Sequence, residues 1–414
     1  MTAVVTGAGV LAPNGLGVED YWAATLRGES GIGRITRFDP AQYPARLAGE
    51  ISGYAPEEHL PGKLLPQTDH MTRLALTASD WALADAGVEP AALPEFGMGV
   101  VTASASGGFE FGQRELEKLW SKGPQHVSAY QSFAWFYAVN TGQISIRNGM
   151  RGPSGVLVSD QAGGLDALAQ ARRHIRRGTP LVVAGGVDSA LCPWGWVAQI
   201  AGGRLSRGTD PGSAYQPFGA GADGFVPGEG GAILIVEDAA HARERGLGPG
   251  YGTIAGHAAA FDPEPGTGAA LHRAARLALA DAGLEPADVD VVFADAYGVP
   301  DLDRAEAAVL RELFGPHGVP VTAPKSMTGR LYSGAGSLDV VTALLALRDG
   351  VVPPTTGVAA VHPDHELDLV LGDPRPLSLR TALVLARGEG GFASAMVVTG
   401  PEVPLPEEEI DERP

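Results

Sequence analysis

The sequence predicts an α/β protein built as two similar halves that meet near residue 250, and three observations predict it. Residues 82–90 read ALADAGVEP and residues 278–286 read ALADAGLEP, a nine-residue match with one difference. Each follows an amphipathic helical stretch (TRLALTASDW, LHRAARLAL) and leads into an apolar run (GMGVVTA, VDVVFAD). That is the pattern of a repeated helix–turn–strand unit, against the alternative of two similar helix ends in an alanine-rich chain. Secondly, continuous apolar runs alternate with helical patterns along the whole chain. Thirdly, 414 residues suffice for two halves of ordinary domain size, and the 58 glycines and 32 prolines are spread between periodic segments, not gathered into a linker.

In chain order, Ala3 to Thr6 reads as a buried strand running into a glycine-rich loop, GAGVLAPNGLG. Gly7, Gly9 and Gly15 miss the spacing of a dinucleotide fingerprint, and Pro13 interrupts the turn. In both repeats a glycine offers the left-handed cap of the helix and a proline prevents its continuation. Residues 156–170, VLVSDQAGGLDALAQ, describe a strand turning sharply into a helix, the elbow at which acyl-transfer enzymes hold a nucleophile. TPLVVAGGVDSAL and GGAILIVED suit strands covered on both faces, so the sheets are expected to be mostly parallel. LDALAQARRHIRRG and DVVTALLALRDG read as helices ending on basic residues and glycine. Residues 1–250 and 251–400 form the two halves, and the proline-punctuated acidic segment 401–414 is expected to be a disordered tail.

The net charge of −18 argues against nucleic acid and anionic membrane surfaces as partners. The single cysteine, Cys192, excludes an internal disulfide framework and fits a reducing compartment. The start MTAVVTGAGVLAPNG lacks the basic opening of a secretory signal, and no apolar stretch reaches the ~18 residues of a membrane span, so a cytoplasmic location is expected. No metal is expected.

Three long motifs, in order, resemble the β-ketoacyl synthases of the thiolase fold, and within them the chain-length factors (ketosynthase β subunits) of bacterial type II polyketide synthases. They are PFGAGADGFVPGEGGAILIVED (217–238), FADAYGVPDLDRAE (293–306) and PKSMTGRLYSGAGSLD (324–339). The second stands where active enzymes read NAHGTGTPxND, the third where they read KSxxGHxxGAAG. The resemblance covers about residues 2–400 and implies a thiolase fold, two duplicated halves in a five-layered α-β-α-β-α arrangement.

An active ketosynthase needs a cysteine thiolate to carry the acyl chain and two histidines to drive decarboxylation of the malonyl extender. On the family's pattern the cysteine position is Gln161, the first histidine Asp295 and the second Arg330. Glutamine forms no thioester, a carboxylate opposes a developing enolate, and arginine exchanges no proton at neutral pH. Three such losses mean that the chain does not condense. Glu306 and Lys325 stand where the family keeps a buried acid and lysine, and are expected to pair with Arg330 or with each other as structural ions. Cys192, in ALCPWGW, lies on no elbow and is expected to be a buried, inert thiol.

The resemblance implies a heterodimer with a cysteine-bearing ketosynthase α subunit, and a poly-β-ketone measured in an interface tunnel. No cofactor is implied, the chain being carried on the phosphopantetheine of an acyl carrier protein. In GGFEFGQRELEKLW (107–120), Phe109, Gly112, Leu116 and Leu119 recur on one helical face. Core packing explains most such stripes, but a glycine inside a helix costs ~1 kcal/mol relative to alanine, which suggests that a side chain at Gly112 would block something. By resemblance Phe109, Gly112 and Leu116 are the gate. In the family bulky residues there close the tunnel after about eight acetate units, so the resemblance places the pair Gly112 and Leu116 on the open side and implies a chain longer than an octaketide, a decaketide by preference, with Phe109 as the remaining constriction. Gln161 is expected either to fill the vacated thiol site and satisfy buried backbone groups or to assist malonyl decarboxylation for priming. The alternative reading is a stand-alone thiolase-fold malonyl decarboxylase or acyltransferase.

Overall fold

A computed structural model describes residues 1–264 and 266–401; all but the first residue of the expected acidic tail lies outside them. The strands form two sheets whose order repeats. In the first, Ala3–Ala12 pairs antiparallel with Gly230–Asp238, that with Leu181–Asp188, and then Met98–Ala103 and Ser154–Leu157 follow in parallel. In the second, Gly252–Phe261, Phe392–Thr399, Thr381–Gly388, Val291–Phe293 and Pro320–Thr322 repeat both the order and the directions. The sheets meet only where Val4 and Val5 pair with Thr253 and Gly252.

The sheets are therefore mixed, not mostly parallel as expected. GGAILIVED is buried from Gly230 to Glu237, as its composition predicts, yet antiparallel to both neighbours, because burial on two faces does not specify direction.

Helices Gly163–Arg176 and Ser333–Asp349 pack on each other and against strands of both sheets, forming the central layer. Ser333–Asp349 is buried from Ser333 to Leu347, in keeping with a helix apolar all round. His70–Asp85 and Val139–Asn148 cover the first sheet, and Ala269–Ala282 and Pro300–Phe314 the second. Five layers result.

The repeat seen in the sequence extends to single atoms. Ala8 N donates to the Asp85 carboxylate at 2.8 Å, and His257 N to that of Asp281 at 3.0 Å. A Cβ on Gly7 would lie 2.5 Å from the Ala82 carbonyl, and one on Gly256 2.2 Å from that of Ala278. This corrects the expected glycine loop after Thr6. The strand runs on through Gly7 and Gly9 to Ala12, its glycines admitting a helix at close range.

Candidate functional site

The elbow is present. Strand Ser154–Leu157 leads through a single 3-10 turn, Asp160–Ala162, into helix Gly163–Arg176. Asp160 takes φ +51°, a left-handed conformation that aspartate tolerates. The two glycines that follow let the central helices touch, since a Cβ on Gly164 would lie 2.5 Å from Ser337 N. Gln161 is 2% exposed and lines a cavity of about 210 Å³ together with Phe109, Phe225, Tyr297, Arg330 and Tyr332. Neither its amide oxygen nor its amide nitrogen has a hydrogen-bond partner. The expectation that Gln161 satisfies buried backbone groups is thus corrected: its amide is buried at the cavity wall and bonds to none of them.

Asp295 and Arg330 meet, although 35 residues apart in the chain. Arg330 Nη2 lies 3.0 Å from Asp295 Oδ1, and its guanidinium carbon 4.0 Å from the centre of the Tyr297 ring. Arg387, which the sequence reading did not single out, binds both acids, with Nε 2.9 Å from Asp295 Oδ2 and Nη2 2.7 Å from Glu306 Oε2. Glu306 also accepts from the backbone N–H groups of Asp295 and Ala296. Lys325 pairs with Asp339 at 2.8 Å and donates to the Ala294 carbonyl. Glu306 and Lys325 therefore pair neither with Arg330 nor with each other. The geometry that decides this lies in the strand Thr381–Gly388, which brings Arg387 between the two acids.

Burial pushes the Asp295 carboxyl upward, but Arg330 and Arg387 outweigh it and hold the group below the usual carboxylate range. The Arg330 guanidinium, disfavoured by burial, is raised well above its ordinary value by Asp295. At neutral pH Asp295 is an anion and Arg330 a cation, each engaged by the other. The pair neutralises itself rather than presenting a bare carboxylate to an enolate, and neither group exchanges a proton.

Residues 2–242 match the β-ketoacyl synthase N-terminal domain and residues 250–359 its C-terminal domain. This chain belongs to the β-ketoacyl synthase family. Within that family it groups with the ketosynthase β subunits, or chain-length factors, of type II polyketide synthases. It is 64% identical over 400 residues to the actinorhodin polyketide putative beta-ketoacyl synthase 2 of Streptomyces coelicolor, covering 96% of this chain and 98% of that one. It is 63% identical to the tetracenomycin polyketide synthase ketoacyl synthase beta subunit of Streptomyces glaucescens, over 95% of this chain and 97% of that one. Among solved structures it is similar to the ishigamide ketosynthase/chain length factor, with a TM-score of 0.89 at 25% identity over 96% of this chain and 99% of that one. It is also similar to a chain of a solved complex, described as a type II PKS acyl-carrier protein in complex with its ketosynthase bound to the hexaketide, with a TM-score of 0.86 at 26% identity over 96% of this chain and 99% of that one.

In this β-ketoacyl synthase the helix Phe109–Lys122 carries the three residues expected to form a gate, and they divide. Phe109 lines the cavity beside Gln161. Gly112 lies behind Trp194, where a Cβ would stand 3.0 Å from the indole edge, and the Phe109 and Trp194 rings are 4.6 Å apart. The side chain that Gly112 leaves room for is thus Trp194, which Gly112 itself was the one clue to. Leu116 is 37% exposed and is not among the residues lining the cavity beside Gln161. Of the four stripe residues only Gly112 is buried, Phe109 and Leu119 being half-buried and Leu116 exposed, and the large side chains this helix buries are Phe111 and Glu115.

Cys192 caps the helix Pro193–Ala201, its sulfur accepting from Gly195 N. Burial pushes its thiol up from 9.0 to about 11. Its thiolate fraction at mildly alkaline pH is therefore about 100-fold below that of an ordinary thiol. Alkylation by iodoacetamide is expected to be slow in the folded protein and to reach the normal rate in denaturant. Rapid labelling of the folded protein would contradict the assignment. Among the described residues no helix is long and apolar enough to cross a membrane, and no cluster of metal-binding side chains occurs.

Proposed function

We propose that this chain is the length-setting subunit of a heterodimer with a cysteine-bearing ketosynthase, in which a poly-β-ketone carried on the phosphopantetheine of an acyl carrier protein grows along an interface tunnel. The observation that carries the reading is the outward apolar face of the gate helix and the segment after it. Trp120 is 84% exposed, and Leu116, Trp135, Phe136 and Tyr137 are exposed with it. Such a patch marks a partner surface on an otherwise soluble body. Strand Ser154–Leu157 ends its sheet with one edge unpaired, which adds a second unsatisfied surface. Intact scaffold glycines beside a self-neutralised Asp295–Arg330 pair support a subunit kept for shape rather than for condensation.

Phe109, Gly112 and Leu116 form the gate, Gly112 by letting Trp194 fold back and Leu116 by facing the partner. The open side of this gate corresponds to a chain longer than an octaketide, a decaketide by preference. Co-expression with a type II ketosynthase should give a one-to-one complex whose products, by mass analysis, exceed octaketide length. A lone protein that is stable and turns over malonyl thioester overturns the reading in favour of a stand-alone decarboxylase.

The free amide of Gln161 favours one further activity of the same complex, decarboxylation of malonyl carrier protein to the acetyl primer, with the amide N–H donating to the thioester carbonyl. With a partner lacking its own cysteine, Gln161→Ala is expected to lower the decarboxylation rate by roughly 10²-fold, the order found for loss of one oxyanion donor. An unchanged rate removes the priming role.

A further inference from the structure

The helix Phe109–Lys122 begins at Gly108, which has no side chain to cap it, so its first N–H groups need another acceptor. That acceptor comes from a different helix. Asp69 is the N-cap of His70–Asp85, where its Oδ1 accepts from Met71 N at 2.8 Å. Its other oxygen, Oδ2, accepts from Phe111 N at 2.7 Å. The Asp69 side chain is fully buried, and a Cβ on Gly108 would lie 2.8 Å from its own Cβ. The glycine is what allows the approach. Gly112 N in turn donates to the Gly108 carbonyl at 3.0 Å, so the turn held by Asp69 is the one that carries Phe109 and Gly112.

We propose that Asp69 is the positioning residue of the length gate: one buried carboxylate caps two helix N-termini and so fixes where Phe109 and Gly112 stand relative to Trp194 and the cavity. The inference rests on reading that helix as the gate. A carboxylate suits the task because it offers two acceptor oxygens and no donor, and because both helix dipoles present their positive ends to it. Neighbouring charges do not substitute for it: His70 follows Asp69 in sequence but turns to Glu229, and Glu110 turns to Arg37 and Arg114. Burial pushes the Asp69 carboxyl up to about 6, against the backbone hydrogen bonds from Phe111 and Met71 that pull it down.

Asparagine in place of Asp69 keeps the shape but retains only one acceptor, so its NH₂ must face either Met71 N–H or Phe111 N–H. The test is the product-length distribution of the reconstituted heterodimer carrying Asp69→Asn, beside Gly112→Thr as a gate control. Leu83→Ala, a core change on the same helix remote from residues 108–112, serves as a stability control. The expected result for Asp69→Asn is a spread of lengths in which the dominant product falls by roughly twofold or more, as sub-ångström loosening of a supporting residue does elsewhere. Leu83→Ala should lower the melting temperature without changing the lengths. Hydrogen exchange at residues 109–112 should rise only in Asp69→Asn.

Unaltered lengths in Asp69→Asn with altered lengths in Gly112→Thr overturn the positioning role and leave the gate standing. Unaltered lengths in both overturn the gate and the inference together. A spread equally large in Leu83→Ala overturns the inference, since general destabilisation then suffices. Where Asp69→Asn does not assemble with the ketosynthase, Asp69→Glu, which keeps the charge on a longer arm, is measured in its place under the same criteria.

Discussion

Replacing Arg387 with methionine is expected to lower the unfolding free energy of the subunit by about 3–5 kcal/mol, the range for removing one partner of a buried ion pair. The reason is what it leaves behind. Asp295 keeps Arg330, but Glu306, wholly buried, keeps only two backbone N–H groups. That loss is a large share of the ~5–15 kcal/mol by which domains are stable. Its pH dependence identifies the cause. Burial, first, and the charge of Asp295 already raise the Glu306 carboxyl, and Arg387 is the largest influence pulling it down. Without Arg387 its folded-state value rises further above the unfolded one. A raised acid contributes stability at low pH that is lost as pH rises through the folded value, so the variant should regain stability as the pH falls from neutral toward the ordinary carboxylate range. Denaturant unfolding of the heterodimer across that range is the measurement. A variant as stable as the parent, or one that weakens as the pH falls, would show that Arg387 is not what holds the acids.

The largest effect on product is expected from Gly112→Thr. The new side chain would start 3.0 Å from the Trp194 edge, closer than ordinary contact. Trp194 is half-exposed and able to turn, and its ring already lies against Phe109. Threonine therefore drives the indole toward Phe109, and Phe109 toward the cavity it lines. Mass analysis should show polyketides shorter by at least one two-carbon unit. Because the push travels through Trp194, the double variant Gly112→Thr/Trp194→Ala should recover the parent length, a coupling expected of residues in contact. Leu116→Phe should shorten the product only through the partner's wall. Parent-length product from both Gly112→Thr and Leu116→Phe would dismiss the gate.

Much of this protein was legible without coordinates. The ALADAG repeat announced two halves because a helix packed on a strand at glycine contact constrains several residue types at once, and Gly7, Asp85, Gly256 and Asp281 show that contact twice. Strand direction was not legible, since a run such as GGAILIVED is equally apolar whether its neighbours are parallel or antiparallel. The exposure of Leu116 was hidden for a related reason: periodicity places residues on a face but does not say what the face meets.

The sequence by itself determined which residue types stand at the three motif positions, Gln161, Asp295 and Arg330, and with them what chemistry each side chain has to offer: a glutamine amide forms no thioester and an arginine exchanges no proton at neutral pH. Only the tertiary structure decided what those residues do instead. Arg387 divides itself between Asp295 and Glu306, Lys325 turns to Asp339, Trp194 fills the space beside Gly112, and the Gln161 amide is buried without a hydrogen-bond partner. Hydrogen bonds and ion pairs form between groups that folding brings within about 3 Å, and that proximity, between residues tens to hundreds of positions apart, is a property of the packed chain and not of any local pattern.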